Sequence, residues 1–465
     1  MRATVCILLL AACGDTGSPA QPPAWEKSLP DARVIGERWS ARGLTAARGI
    51  VHLHSPFSHD ACDGMPRDKT TNVPNEPCLQ DLRAALCTTR IDFAALTDHD
   101  GSMADEEFTT LFSMRGSDQA VRNAANEQIG SRILCADGHQ VLVSVGGEND
   151  LMPIMLDRHP PGTVDERHAI YNGNDAAAAD AFRAAGGLVW VAHTESKDLA
   201  TLRAVAPHGI EVYNLHANID PDIRSTYLGL PSAGAISAAA EFADTNPGHP
   251  EPDLAMLAFL SPNQPAIATW NALLGEGRKL AATAGSDAHQ NAIPIMLADG
   301  ERGDSYRRVL RWFGNIAIVA DPHDPAQIEQ AMATGRIFTV IEMLGTPANF
   351  DVRATDEAGA VYEIGATVPR NSRLTIDVPT VRNLDPDLPA PVIRTRAYWI
   401  EPGGNVNELI SNTNDQVNLN LGAPGAYRVE ISIIPRHLGP YLGDLGTDMA
   451  SVEVPWIYVS PFYVE

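Results

Sequence analysis

The chain has 465 residues, and at roughly 150 residues per domain that length favours two or three domains over one. It carries 34 Lys plus Arg against 58 Asp plus Glu, a formal net charge of −24, so a polyanionic partner such as nucleic acid is repelled over most of the surface and none is expected. With 44% hydrophobic and 20% charged residues, the composition is that of a folded globule, which excludes a disordered, fibrous or polytopic membrane protein.

Met1 to Gly14 places one arginine, Arg2, before a short apolar stretch that ends in small residues, the pattern of an export signal too short to span a bilayer. Leu10-Ala11-Ala12-Cys13 resembles a bacterial lipobox, which implies cleavage before Cys13, a lipid on its thiol and an exported protein held at the cell envelope. Ordinary signal cleavage near Ala12 is the alternative. The stretch from Gly14 to about Pro30 is rich in Gly, Pro, Ser and Gln and suits a flexible tether. Residues 1–13 are therefore read as leader, and 14–46 as tether and lead-in.

Beyond the leader four cysteines remain, Cys62, Cys78, Cys87 and Cys135, and an exported protein keeps disulfides. Two are expected, with Cys62–Cys78 closing a Pro- and Gly-rich loop and Cys87 left for Cys135. Sequence alone allows three pairings, and no CxxC spacing favours a zinc site.

From about Ala47, short apolar runs recur, and nearly all end in His, Asp or Glu: Gly49–His54, Phe93–His99, Val141–Glu148, Met152–His159, Leu188–His193, Ile210–Asn214 and Leu280–His289. Helical stretches separate them: Leu79–Cys87, a segment around Asp118–Ile129, Ala176–Ala185, Leu199–Val205, and Leu254–Leu274 with interruptions. Strands alternating with helices argue for a parallel α/β sheet. Polar residues at successive strand C-termini argue for its closure into a barrel with the site on that face. Ala217–Arg278 is long for a barrel connection and reads as a helical lid or flank. Asp324-Pro325 caps a further helix that stops at Gly335. From Ala348 the pattern becomes short alternating segments broken by Pro, Gly, Asn and Asp, which predicts an all-β sandwich over 348–465 after a catalytic domain over 47–347.

His52 and His54, at i and i+2 on a strand, point to one face and can share a cation. Asp60, His99, Glu148, His159, His193, Asp287 and His289 follow, each ordinary as a cap or a satisfied polar group. Together they would be costly to bury at one barrel mouth unless cations held them.

HxH, SxD (Ser58-His59-Asp60), Thr97-Asp98-His99, Gly147-Glu148, Ala192-His193 and Gly285-Ser286-Asp287-Ala288-His289, in this order, resemble the polymerase and histidinol phosphatase (PHP) superfamily. That resemblance implies a distorted seven-stranded (β/α) barrel and two or three divalent metals, with zinc, manganese and iron all acceptable to such donors. It implies that His52, His54, Glu148 and Asp287 surround one metal, that Glu148, His159 and His193 hold a second, and that Asp60, His99 and His289 hold a third. His59 competes with Asp60, and His168 with His159. Where family members often have Pro after the AH histidine, Thr194-Glu195 stands here. Glu148, Asp98 and His216 are the candidate catalytic residues. Asp98 would orient a ligand or move a proton, with a local cap as the alternative. His216 would give a proton near the substrate, although a hydrogen bond to a loop carbonyl is the preferred reading.

The resemblance implies a metal-dependent hydrolase using activated water, foremost a phosphoesterase acting on a small phosphate ester. Domain order and Gly335-Arg336-Ile337-Phe338 are similar to the exported branch that includes carbaryl-hydrolase-like proteins, which makes carbamate or carboxylic-ester hydrolysis the alternative. A non-catalytic, metal-stabilised surface-binding lipoprotein is the rival from another class.

Overall fold

The computed structural model describes residues 22–465; the leader, Cys13 and the first part of the tether lie outside the described residues. The fold is mixed α/β. Its first eleven strands are β1 (Thr45–Ile50), β2 (Phe93–Leu96), β3 (Gln119–Arg122), β4 (Gln128–Leu134), β5 (Gln140–Val145), β6 (Met152–Ile154), β7 (Leu188–Val191), β8 (Gly209–Asn214), β9 (Ala281–Gly285), β10 (Gly314–Val319) and β11 (Ile337–Val340). The remainder are β12 (Pro347–Ala348), β13 (Asp351–Thr355), β14 (Val361–Tyr362), β15 (Thr367–Val368), β16 (Ser372–Asp377), β17 (Thr380–Val381), β18 (Val392–Ile400), β19 (Val406–Asn412), β20 (Gln416–Leu421), β21 (Gly425–Ile434) and β22 (Val454–Val464).

β1, β2 and β5 pair in parallel, as do β7, β8 and β9, and these strands are buried along nearly their whole length, as parallel strands covered on both faces are. β6 joins β7 antiparallel. Single-residue bridges Val145↔Leu156 and Leu53↔Ala288 link the two groups, so pairing runs β1-β2-β5-β6-β7-β8-β9 and returns to β1. The parallel strands therefore end toward a common region, into which the loops carrying the polar motifs run.

The expected helices form at Glu76–Thr88, Ala176–Ala184, Leu199–Val205 and Pro325–Thr334. Asn75, Asp175, Asp198 and Asp324 each accept a first-turn backbone N–H, satisfying donors a helix start leaves open. Between β8 and β9 the chain is helical in pieces, including Leu215–Ile219, Pro221–Thr226, Gly234–Ala240 and Gln264–Gly275. The segment around Asp118–Ile129 departs from expectation: it belongs to an antiparallel hairpin in which Gln119 faces Arg132 and Val121 faces Gly130. Asn123 makes the turn, its side-chain oxygen accepting from the backbone of Ala125 and Glu127, and this local alternative outcompetes a helix.

Pairing also continues across the boundary expected near Pro347. β11 pairs antiparallel with β22, at the far C-terminus, and one twelve-stranded sheet runs β19-β18-β21-β22-β11-β10-β1-β2-β5-β4-β3 with β15 on β22. β14-β13-β16-β20 form a separate four-stranded sheet. Trp39, Trp190, Trp270, Trp312 and Trp456 are fully buried. Disulfides join Cys62 to Cys78 and Cys87 to Cys135. No described helix is long and apolar enough to cross a membrane.

Candidate metal centre

Each parallel strand delivers its polar side chain within a few residues of its C-terminal end. β1 is followed by His52 and His54, β2 by His99, β5 by Glu148, β7 by His193, β8 by His216 and β9 by Asp287 and His289. His193 and Asp287 adopt left-handed backbone (φ 48° and 50°), which His and Asp tolerate better than most residues and which turns the chain sharply off its strand.

Asp287 is the hub. Its Oδ1 lies 3.2 Å from His52 Nε2, 3.4 Å from His54 Nε2 and 3.2 Å from His289 Nδ1, while Oδ2 lies 3.1 Å from His193 Nε2 and 3.0 Å from His216 Nδ1. Glu148 reaches His99 Nδ1 at 3.1 Å, His193 Nε2 at 3.6 Å, and the Nε2 atoms of both His52 and His54 at 3.9 Å. Asp60 Oδ2 faces His289 Nε2 at 3.2 Å and His99 Nε2 at 3.7 Å. His54 and His289 stack with ring centres 3.7 Å apart.

The outward-facing nitrogens set the tautomers. His52 Nδ1 donates to Glu211 at 2.7 Å, His99 Nδ1 to the Glu148 carbonyl at 2.7 Å, His289 Nδ1 to the Asp287 carbonyl at 2.9 Å, and His193 Nδ1 to Glu195 at 3.2 Å. His54 Nδ1 donates to Ser58 Oγ at 3.1 Å, and that hydroxyl in turn donates to Asp60 Oδ1 at 2.8 Å. Five imidazoles thus spend Nδ1 on an acceptor and turn Nε2 inward, the arrangement by which outer acceptors orient metal-binding histidines. His52 Nε2, His54 Nε2, His289 Nε2 and Asp287 Oδ1 are buried without any hydrogen-bond partner. Orphaned atoms of this kind are expensive unless a cation serves them, so the donor set fits divalent metal.

Electrostatics agree. Burial, reinforced by His289 and His99, holds His54 well below the ordinary histidine range, so it is a neutral donor. Burial also opposes charge on His52, but Asp287 and Glu211 outweigh it and raise the group well above that range. At His193, burial likewise yields to Asp287 and Glu195. The pocket attracts positive charge, as protons or as a metal ion.

Of the predicted site residues, the structure gathers His52, His54, Asp60, His99, Glu148, His193, His216, Asp287 and His289. Asp60 rather than His59 joins the group. His159 does not: its Nδ1 accepts from the Tyr171 hydroxyl and its Nε2 donates to the Glu106 carbonyl, both at 3.0 Å, leaving no lone pair free. The reason is strand direction. The sequence pattern predicts a strand over Met152–His159 that ends at the site, whereas β6 runs antiparallel to β7 and carries the chain away from Glu148. Its competitor His168 is also spent, on Asp100 at 2.7 Å and Asp105 at 3.2 Å. His216 bonds Asp287, not a loop carbonyl. Asp98 accepts from the backbone N–H (2.5 Å) and hydroxyl (2.8 Å) of Ser55, so it positions the loop after His54; burial pushes it up to about 7 against those bonds.

Sequence reasoning missed Glu211, Glu195 and Ser58 as orienting groups. The signal for Glu211 was a carboxylate inside an otherwise apolar strand, where burial demands a partner. Glu211 also accepts from His193 N (3.2 Å) and Asn214 Nδ2 (2.9 Å), and a Cβ at Gly285 would stand 2.0 Å from its carboxylate, which is why glycine ends β9. Glu211→Gln should lower divalent-metal affinity about 10–100-fold, because an amide no longer dictates the His52 tautomer. Competition against a chromophoric chelator measures this, and unchanged affinity would remove the orienting role.

Asp253, Asp299 and Glu301 form another acidic group, but Lys27, Arg307 and Arg308 neutralise it as an ion-pair network. Beside the centre, a cavity of ≈ 80 Å³ is lined by Asp60, His216, Asp287 and His289, with Met256 and Val309 as apolar wall.

No family model matches the chain, and no curated protein does. Among solved structures it is similar to a two-domain protein from Bacteroides vulgatus containing a predicted PHP-like metal-dependent phosphoesterase, at 12% identity and TM-score 0.37, covering 92% of this chain and 96% of that one. It is also similar to PsfC from Pseudomonas syringae, at 14% identity and TM-score 0.27, over 58% and 82% of the respective chains.

Proposed function

We propose that the chain is a metal-dependent hydrolase of the PHP superfamily, a phosphoesterase acting on a small phosphate ester. The observation that carries this is the convergence of five inward Nε2 atoms on the Glu148, Asp287 and Asp60 carboxylates. The strand circuit of β1, β2, β5, β6, β7, β8 and β9 supports a distorted seven-stranded barrel, and the later strands a β-sandwich attached to it.

His52, His54, Glu148 and Asp287 would hold one ion, Glu148 and His193 a second, and Asp60, His99 and His289 a third. Bound divalent metal makes water acidic enough to act as nucleophile near neutral pH and offsets negative charge on the substrate. The chain's own groups do the rest. Glu148 stands between two subsites, Glu211, Glu195 and Ser58 fix ring orientation, and the Asp98–Ser55 bonds fix the loop from which His54 projects. Helices after β8 supply Leu215, Ile219 and Met256, whose apolar surface limits water at the cavity. A −24 chain is a poor host for polyanions, and the cation centre gives a small phosphorylated substrate its local attraction. Export and lipid attachment through Cys13 complete the proposal, with the centre working at the cell envelope.

The test is metal analysis of the purified chain together with hydrolysis of aryl phosphates, phosphodiesters, carboxylic esters and carbamates. Bound divalent metal and phosphate-ester turnover are expected. Full activity without bound metal would overturn the mechanism, and acyl turnover without phosphate turnover would overturn the substrate class.

A further inference from the structure

We propose that His216, and not His159, completes a cation subsite with His193 and Asp287; this rests on the metal-dependent reading above. The ligand atoms of these three residues lie within 4.8 Å of one another. His216 Nδ1 and His193 Nε2 sit on the same Asp287 oxygen, at 3.0 and 3.1 Å. The rings stand edge to face with centres 5.7 Å apart, so neither blocks the other's lone pair.

His216 meets the shared carboxylate through Nδ1, whereas His193 meets it through Nε2. That Nδ1 donates to Asp287 Oδ2 at 3.0 Å, and a bound cation would take the place of its proton, while Nε2 stands 4.0 Å from Asp220 Oδ2, one helical turn on. His193 is oriented by Glu195, and Glu195 in turn by Asn263 at 2.9 Å. Two imidazoles and a carboxylate match a zinc- or manganese-type site. The His216 side chain is 42% exposed, so the subsite borders the cavity where substrate would enter. His159 has both nitrogens committed to Tyr171 and Glu106 and supplies nothing. The helical insertion after β8 thus replaces a ligand that antiparallel β6 carries out of reach.

The metal-depleted full-length chain is titrated with Zn²⁺, with bound metal counted per chain, and separately with Co²⁺, read by its visible absorption. His216→Ala should bind one equivalent at least about 10-fold more weakly and lose part of the Co²⁺ spectrum, while His159→Ala binds as wild type. His216→Asp, which returns a donor, should recover the equivalent with an altered spectrum. Wild-type stoichiometry, affinity and spectrum in His216→Ala, or loss of an equivalent in His159→Ala, would overturn the inference while leaving the hydrolase proposal standing. A wild-type chain that takes up neither ion would overturn both.

Discussion

Asp287→Asn is expected to lower kcat/KM for phosphate-ester hydrolysis by at least about a thousandfold. The substitution keeps the shape and removes one charge, yet that carboxylate meets five histidines, His52, His54, His193, His216 and His289, within 3.0–3.4 Å. An amide offers one weak acceptor where the carboxylate offers two charged oxygens, and its NH₂ turns a donor toward the Nε2 atoms of His52, His54 and His193, which have to present lone pairs. A metal centre contributes several kcal/mol of charge stabilisation, and each 1.4 kcal/mol is tenfold in rate. Glu148→Gln should fall in the same class, since Glu148 joins two subsites. Steady-state kinetics with parallel metal counting checks both variants. Either one retaining a tenth of wild-type activity with full metal occupancy would refute the assigned roles.

The site was more legible in the sequence than the fold that carries it. Parallel strands put their C-terminal ends together, so a His, Asp or Glu just past each apolar run is a statement about three-dimensional proximity that local pattern already contains. His52, His99, Glu148, His193 and Asp287 were readable for that reason. Strand direction is not a local property: Met152–His159 has the same apolar-run-then-histidine pattern, and only its antiparallel pairing with β7 shows that His159 leaves the site. The outer groups were hidden differently. Glu211 reads as one polar residue in a strand, and nothing in its neighbours names His52, 159 positions away, as its partner. The hairpin of β3 and β4 was lost to helix-like composition, with Asn123 the turn residue that decided the matter. The change of texture at Ala348 is a local property of the sequence, and texture cannot report that β22 returns to pair with β11.

Close to that junction lies a buried ion pair whose rupture should cost several kcal/mol of stability. Arg48 on β1 and Glu342 just beyond β11 are both fully buried, joined through Nε to Oε2 at 2.6 Å and Nη2 to Oε1 at 2.8 Å. Arg48 Nη1 also donates to the Pro30 carbonyl at 2.9 Å, so one side chain ties the lead-in segment, the sheet containing the site and the turn entering the C-terminal strands. Desolvating two charges consumes most of their attraction, so the pair adds little net stability, yet losing one partner strands the other without water or counter-charge. Arg48→Met and Glu342→Leu should each cost about 3–5 kcal/mol, whereas the two combined should recover most of that loss because neither charge remains. Urea unfolding midpoints of the wild type, both single variants and the double variant measure the coupling. Additive losses in the double variant would show that Arg48 and Glu342 act through separate contacts, the Pro30 carbonyl among them, rather than as a pair.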